Sequence, residues 1–562
     1  MSIYSNHSFA RFTASTLFSD SHSTLSLSPS IVAFGAIAAS VLYLLSEIIP
    51  RRRLVDKQGN QIPPGPWGLP IVGSFPFLTH YPELTLDHWA KVSARKFGNM
   101  YSIWLGNQLF VVVSDPRIIK DLMVTNGAIF SSRKEMFIKS QTIFKGRGIT
   151  DAFFFSGCFL ATPYSERWRK HRRIAWSWLH QRAVDGYTPV LDREATSMIK
   201  NLYIASQAGA VPINPQVRNL AHSESVGDNL WMGTCEWVVL ASRRALFPEQ
   251  HADHRVRDPH GQPGPSPRRT GSQIEPRIHH LPTRMRARGR KLHKELIETY
   301  GGMVKNIEAQ VKDGVPVPDC AAKTMVESRE KEGLDDMDMA ILASAFMIGG
   351  VETTAGILQW FSALIPAFPE VQRKAQEELD RVVGRDRLPT VEDEKNLPYC
   401  RAIIKEVARV HNPFWLGTPH AVTEDFTYNG QFIPKDTVVI CNTYTMHFDE
   451  RRHPEPLTFN PDRYIDDTLS SAESANLSDP YQRDHWMFGV GRRICAGKIV
   501  AEREIWLTIS RMLWAFEMRQ VPGEPIDLKE YDGQSGRSPV PFRIRIAPRH
   551  DKVVEVLDKF EL

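Results

Sequence analysis

The chain has 562 residues, 42% of them hydrophobic, with 69 Lys and Arg against 64 Asp and Glu for a formal net charge of +5. That length can bury a sizeable core, and so small a charge excess excludes the strongly basic character of a nucleic-acid-binding chain. Six cysteines without a CxxC pair exclude a disulfide scaffold and suit a reducing, cytosolic setting.

In chain order, the first feature is residues 31–50, a nearly apolar run broken only by Glu47 close to its end. About twenty such residues suffice to span a bilayer as one helix. Arg51, Arg52 and Arg53 follow at once, which predicts a single span (about 30–50) with everything after it in the cytosol. A cleaved signal peptide is the rival reading, but no small-residue cleavage site precedes the arginines. Pro63-Pro64-Gly65-Pro66-Trp67-Gly68-Leu69-Pro70 reads as a stiff, extended linker. The organisation expected is therefore a tail and anchor over 1–50, a basic stop and proline hinge over 51–70, and one large, mostly helical domain over 71–562. Short strands are expected at 101–104, 110–113, 437–440 and 542–546, and there is no internal repeat.

Two stretches stand apart. Residues 151–160, Asp-Ala-Phe-Phe-Phe-Ser-Gly-Cys-Phe-Leu, interrupt the join between GRGIT and ATPYSERWRKHRR. From about 221 to 282 periodicity fades, and 248–283 is dense in Pro, Arg, His and Gly, a disorder-like composition that cannot supply amphipathic helices. Translated intron sequence or a shifted reading frame would explain both; a divergent lid is the competing explanation.

Trp168 and Arg172 share one face of a strongly basic helix, four residues apart. The arginines of 167–173 on its other faces form a cationic surface able to receive an acidic protein, or simply a solvated one. A long apolar helix over 336–365 contains Gly349-Gly350-Val351-Glu352-Thr353-Thr354. Each glycine inside a helix costs about 1 kcal/mol relative to alanine, so the pair needs a reason. A second helix, 397–410, carries Glu406 and Arg409 three apart on one face, where they can pair. Arg463 follows in the loop Phe459-Asn460-Pro461-Asp462-Arg463.

The most informative segment is Phe488-Gly489-Val490-Gly491-Arg492-Arg493-Ile494-Cys495-Ala496-Gly497. It sets one cysteine in a glycine-punctuated turn, with a helix expected to start near Ala496. Each part has a physical job if Cys495 ligates haem iron. The glycines permit close approach to a flat macrocycle, and Arg493 can reach a propionate through charge-assisted hydrogen bonds. The amides and dipole of the following helix favour thiolate over thiol, and a thiolate ligand favours O–O cleavage.

In this order the motifs resemble those of cytochrome P-450 monooxygenases. The resemblance implies the mainly α haem-thiolate fold with small β-sheets, behind a transmembrane anchor in the endoplasmic reticulum. It implies heme b ligated by Cys495, with Trp168, Arg172, His420, Phe488, Arg493 and Gly497 around the cofactor. Glu352 and Thr353 match the family's acid–alcohol pair for proton delivery, at a local distortion of the helix. Glu406, Arg409 and Arg463 match its buried ion network, with Asp462 where Glu is more usual. Dioxygen and an NADPH-cytochrome reductase are the implied partners.

More narrowly, IFSSRKEMFIKSQTI, WRKHRRIAWSWL, HNPFWLGTPH, SAESAN and RDHWMFGVGRRICAG are similar to fungal phenylacetate and hydroxyphenylacetate hydroxylases, and to m-cresol and m-hydroxybenzyl alcohol hydroxylases of patulin-type pathways. A small aromatic substrate in secondary metabolism is the implied function, with arylacetate catabolism as the alternative. Phe414, Trp415 and Leu416 are expected to border and narrow the substrate pocket. Two other readings stay open: a haem-thiolate isomerase or dehydratase needing no reductase, and a non-catalytic product of a damaged gene.

Overall fold

The computed structural model describes Ala38 and residues 54–560, apart from 70–71, 80, 94–97, 136–137, 150–152, 155–157, 160–161, 214–282, 318–319 and 532–536. The expected span, apart from the helical Ala38, and the whole of the 221–282 stretch lie outside the described residues. Within 151–160, Phe153–Phe154 and Cys158–Phe159 pair as a short antiparallel hairpin.

Helix α1 (Pro82–Ser93) leads into β1 (Met100–Leu105) and β2 (Gln108–Val113). Three of the expected strands thus appear, the third being β5 below. The proline segment is not the free linker its composition suggests. Ser102 on β1 donates its amide to Pro64 O (3.1 Å) and its hydroxyl to Pro63 O (2.6 Å), pinning the segment to the strand. Only glycine fits at 65, because a Cβ there would lie 1.7 Å from Ser102 O.

Helices α2 (Glu166–Leu179) and α3 (Gln181–Gln207) precede the two-residue strand β3 (Val211–Pro212). After the undescribed stretch come α4 (Thr283–Lys312), α5 (Ala321–Glu332), α6 (Asp336–Ala367), α7 (Pro369–Val382) and α8 (Pro398–Val410). Strands β4 (His420–Ala421) and β5 (Val438–Cys441) complete a sheet ordered β1–β2–β5–β4, with β2 and β5 parallel and the other pairs antiparallel. Helix α9 (Lys498–Ala515), β6 (Phe516–Gln520), β7 (Arg543–Pro548) and α10 (Lys552–Asp558) close the chain. The second sheet, β6–β7–β3, is antiparallel throughout, and β7 is the fourth expected strand.

Helix α6 is apolar on most faces because most of it is buried. It is long and apolar enough to cross a membrane, yet 69% of its most apolar window is inside the protein. It starts on a capping box, in which Asp335 and Asp338 each accept the other's backbone N–H. It is tied to α2 by His171, whose Nδ1 accepts from Gly148 N (3.1 Å) and whose Nε2 lies 3.2 Å from Asp338 Oδ1. One apolar core joins α3, α6, α7, α8, α9 and the second sheet, through Trp360, Phe361, Leu379, Ile403, Val407, Trp506 and Trp514. That core fixes α6 against α9, the helix that follows Cys495.

Candidate active site

The loop before α9 folds as its glycines dictate. Gly489 and Gly491 have φ of +70° and +63°, a region that costs other L-residues strain. Gly491 is doubly constrained, since a Cβ there would lie 2.2 Å from Met123 O. Cys495 N donates to Phe488 O (2.8 Å), closing the loop and setting the half-buried Cys495 at its end, with the Phe488 ring buried beside it. The helix begins at Lys498, two residues later than expected, with Gly497 as its N-cap and no side-chain cap. Its first-turn amides are thus left for an acceptor such as the sulfur.

Around this loop the structure gathers the residues singled out in sequence. The Arg493 guanidinium lies 3.8 Å from the centroid of the Trp168 ring. It donates to Ser131 O (2.8 Å) and Thr162 O (2.7 Å). Arg172 donates to Ile494 O, joining α2 to the residue before Cys495. The His420 Nδ1–H donates to Phe130 O (2.7 Å).

Sequence reasoning missed Arg133, a buried arginine that donates to Thr418 O (2.8 Å). It reaches this cluster because Ser132 pairs with Ala421 as an isolated antiparallel bridge, a contact no local pattern announces. Its only sequence signal was its place in IFSSRKEMFIKSQTI.

Two observations test whether haem fits here. Trp168 Nε1 is buried without a hydrogen-bond acceptor among the described residues, against the rule that such groups are satisfied. A propionate carboxylate is the acceptor that would satisfy an indole N–H lying beneath a guanidinium. On α6, a Cβ on Gly349 or Gly350 would meet no atom of the described residues within 4 Å, so packing among the described residues does not demand the two glycines. The residues fit: Cys495 as ligand, with Trp168, Arg172, His420 and Arg493 on the propionate side. When bound, haem supplies the dioxygen-activating redox chemistry, which belongs to the cofactor.

Helix α6 departs from expectation at the glycines. It runs as continuous α-helix through them, without the local distortion anticipated. Thr353 Oγ1 donates to Gly349 O (2.8 Å), the back-bond to the preceding turn that a helical threonine can make. The Glu352 side chain lies outside the described residues.

Glu406 and Arg409 are fully buried and form a bidentate pair, at 2.7 Å for each bond. Arg409 also donates to His447 O (2.9 Å) and Pro456 O (2.8 Å). Arg463 reaches Glu406 at 3.4 Å and Asn460 N donates to it at 2.9 Å, so the three residues do meet. Asp462 does not join them; it pairs with Lys374 (2.9 Å).

The substrate-side aromatics need correction. Trp415 is buried in a cluster with Tyr444, Phe448 and Leu457, and its indole donates to Tyr531 O–H (3.1 Å). Leu416 packs on the cluster of Leu86, Tyr101 and Val112 under the first sheet. The turn after α8 sends the Trp415 ring into the core, whereas Phe414 and Leu416 are half-buried, so the expectation of a narrowed pocket rests on those two and not on Trp415.

Comparison with known proteins agrees with this geometry. The sequence profile of the family described as Cytochrome P450 matches residues 63–220 and 268–546. This chain belongs to the cytochrome P450 family. The cytochrome P450 monooxygenase virE of Hypocrea virens is 30% identical over 540 residues, covering 92% of this chain and 90% of that one. The cytochrome P450 monooxygenase polD of Polytolypa hystricis is 31% identical over 520 residues, covering 89% and 93%. A zebra fish cytochrome P450 solved with abiraterone shares the fold, with a TM-score of 0.60 at 21% identity over 84% of this chain and all of that one. The chain is thus a P450 monooxygenase with a haem-thiolate cofactor, of the kind that draws on NADPH, dioxygen and a reductase partner. The interval between the matched stretches, 221–267, falls inside the stretch that stood apart in sequence, whereas 151–160 and 268–282 fall within the match.

Proposed function

We propose that this P450 hydroxylates a small aromatic compound of the phenol, cresol, benzyl alcohol or arylacetate type, in fungal secondary metabolism. The supporting sequence segments are those similar to phenylacetate and m-cresol hydroxylases. The observation that carries the reading is the setting of Phe414. Its amide donates to Asn412 Oδ1 (2.9 Å) and its carbonyl accepts from Thr443 Oγ1 (3.4 Å), which fixes the backbone of a half-buried ring. A fixed aromatic edge favours planar substrates through stacking and apolar contact. Glu352 and Thr353 deliver protons on the oxygen side, and the exposed Arg167, Arg169 and Arg173 of α2 receive the acidic face of the reductase. The 30–50 segment anchors the enzyme in the endoplasmic reticulum with its catalytic domain in the cytosol.

The test is a spectral titration of the ferric enzyme with m-cresol, m-hydroxybenzyl alcohol and phenylacetate, followed by product analysis with NADPH and reductase. A substrate-induced shift of the haem band and a hydroxylated product with at least one compound are expected. Binding of none, with ready binding of a bulky polycyclic, would overturn the substrate assignment and leave the enzyme class untouched.

A further inference from the structure

The segment that leads into the cysteine loop, Arg483-Asp484-His485-Trp486, carries a charge the site described above does not use. Arg483 is buried, only 4% exposed. Its Nε donates to His485 O (2.7 Å), and its guanidinium lies 4.4 Å from the centroid of the Trp486 ring. Its Nη2 is buried with no acceptor among the described residues. The half-buried Arg452 comes to the same segment from thirty-one residues earlier, donating from Nη2 to Tyr481 O (3.1 Å) and Arg483 O (2.9 Å). Its Nη1 is buried and likewise has no acceptor among the described residues. The indole Nε1 of the buried Trp486 is a third donor in the same condition.

The carboxylates nearby are engaged elsewhere. Asp484 accepts from His485 N (2.6 Å) and lies 3.4 Å from Lys405, and Asp449 pairs with Arg451 (2.7 Å). Asp115 accepts from the Tyr481 hydroxyl (2.9 Å). Among the described residues neither Arg452 nor Arg483 forms an ion pair. Burial pushes the Arg483 guanidinium down to about 10, against the pull of Asp484 and helped by the repulsion of Arg452. Water satisfies many buried donors, but it brings no charge. Two guanidiniums turned inward without a carboxylate call for a negative partner, because buried charges are normally paired. Their N–H groups make the charge-assisted bonds that an anion accepts. Enclosed donors leave place only for a small one.

We propose that Arg452, Arg483 and Trp486 form a binding site for a small monovalent inorganic anion, which in the cell is chloride. The ion accepts from Arg483 Nη2, Arg452 Nη1 and the Trp486 indole. It ties residue 452 to the segment that runs into Phe488 and the cysteine loop. It binds the folded chain and not the unfolded one, so it stabilises the enzyme by mass action. It takes no part in the reaction, and the site is independent of the substrate proposed above.

The experiment uses the full-length haem-loaded enzyme, reduced and bound to carbon monoxide so that the iron offers no open position to a halide. Crystals grown without chloride are soaked in bromide, whose anomalous scattering distinguishes it from water. A bromide peak within hydrogen-bonding reach of Arg483 Nη2 and Arg452 Nη1 is expected. In solution, the NMR linewidth of chloride should show saturable binding to the wild type. Arg483→Gln should abolish the saturable part, and Arg483→Lys should keep some of it. In urea unfolding at constant ionic strength, with gluconate replacing chloride, each tenfold rise in chloride above its dissociation constant should lower the wild-type unfolding constant about tenfold. A site without bromide, or one filled in the crystal with no saturable binding in solution, would mean water or an adventitious ion only and would overturn the proposal. So would a folded Arg483→Gln enzyme that binds chloride as the wild type does. If Arg483→Gln fails to fold, the wild-type peak and linewidth decide alone.

Discussion

Replacing Arg409 with methionine should be among the most damaging single changes outside the haem loop. Arg409 and Glu406 are each fully buried, and the guanidinium also binds the carbonyls of His447 and Pro456. Without it, the Glu406 carboxylate keeps Asn460 N at 2.9 Å and the more distant Arg463 at 3.4 Å. Breaking a buried ion pair from one side costs about 3–5 kcal/mol, a large share of a domain stability of about 5–15 kcal/mol. Arg463→Met removes the long contact to Glu406 and a bond to Glu455 O (2.8 Å) from a partly exposed side chain, and should cost about 1–2 kcal/mol. The double variant Glu406→Met/Arg409→Met leaves no buried charge and should be more stable than Arg409→Met alone. Urea unfolding of the haem-loaded protein, followed by far-ultraviolet circular dichroism, gives the ordering. An Arg409→Met midpoint equal to that of Arg463→Met would refute the account of this network.

Three further outcomes follow from the geometry. Trp168→Phe keeps a ring under Arg493 but removes the orphaned N–H; losing a hydrogen bond to a charged group, about 1.5–3 kcal/mol, should speed haem transfer to apomyoglobin by about 10–100-fold. Gly491→Ala places a Cβ 2.2 Å from Met123 O at a φ of +63°, so it should fail to assemble the thiolate site, seen as loss of the carbon monoxide difference band. A variant beginning at Arg51 should leave the membrane fraction at least partly and still bind haem, and loss of haem incorporation would contradict the separation of anchor from catalytic domain.

What was legible in the sequence was chemistry carried by short, ordered motifs. The Cys495 loop, the Glu406–Arg409 pair and the Trp168–Arg172 face are each set by spacing on one element, and spacing survives folding. The long apolar helix and the strands were readable for the same reason, since burial imposes a period. Features that depend on distant chain segments were not legible. Arg133 joins the site only because residue 132 bridges to residue 421, and Arg452 meets Arg483 only because the chain doubles back thirty-one residues later. Trp415 was misplaced because one turn after α8 decides whether a ring faces the pocket or the core, and composition cannot give that direction. The proline segment looked like a spacer because its restraint comes from β1, some forty residues on.

The most direct test of the central claim is the carbon monoxide difference spectrum of the reduced protein, wild type beside Cys495→Ser. The account predicts the band diagnostic of thiolate-ligated haem in the wild type and its abolition in the variant, because Cys495 is the half-buried thiol that the glycine loop presents at the start of α9. Survival of that band in Cys495→Ser would show that another residue holds the iron, and the site as described would be wrong.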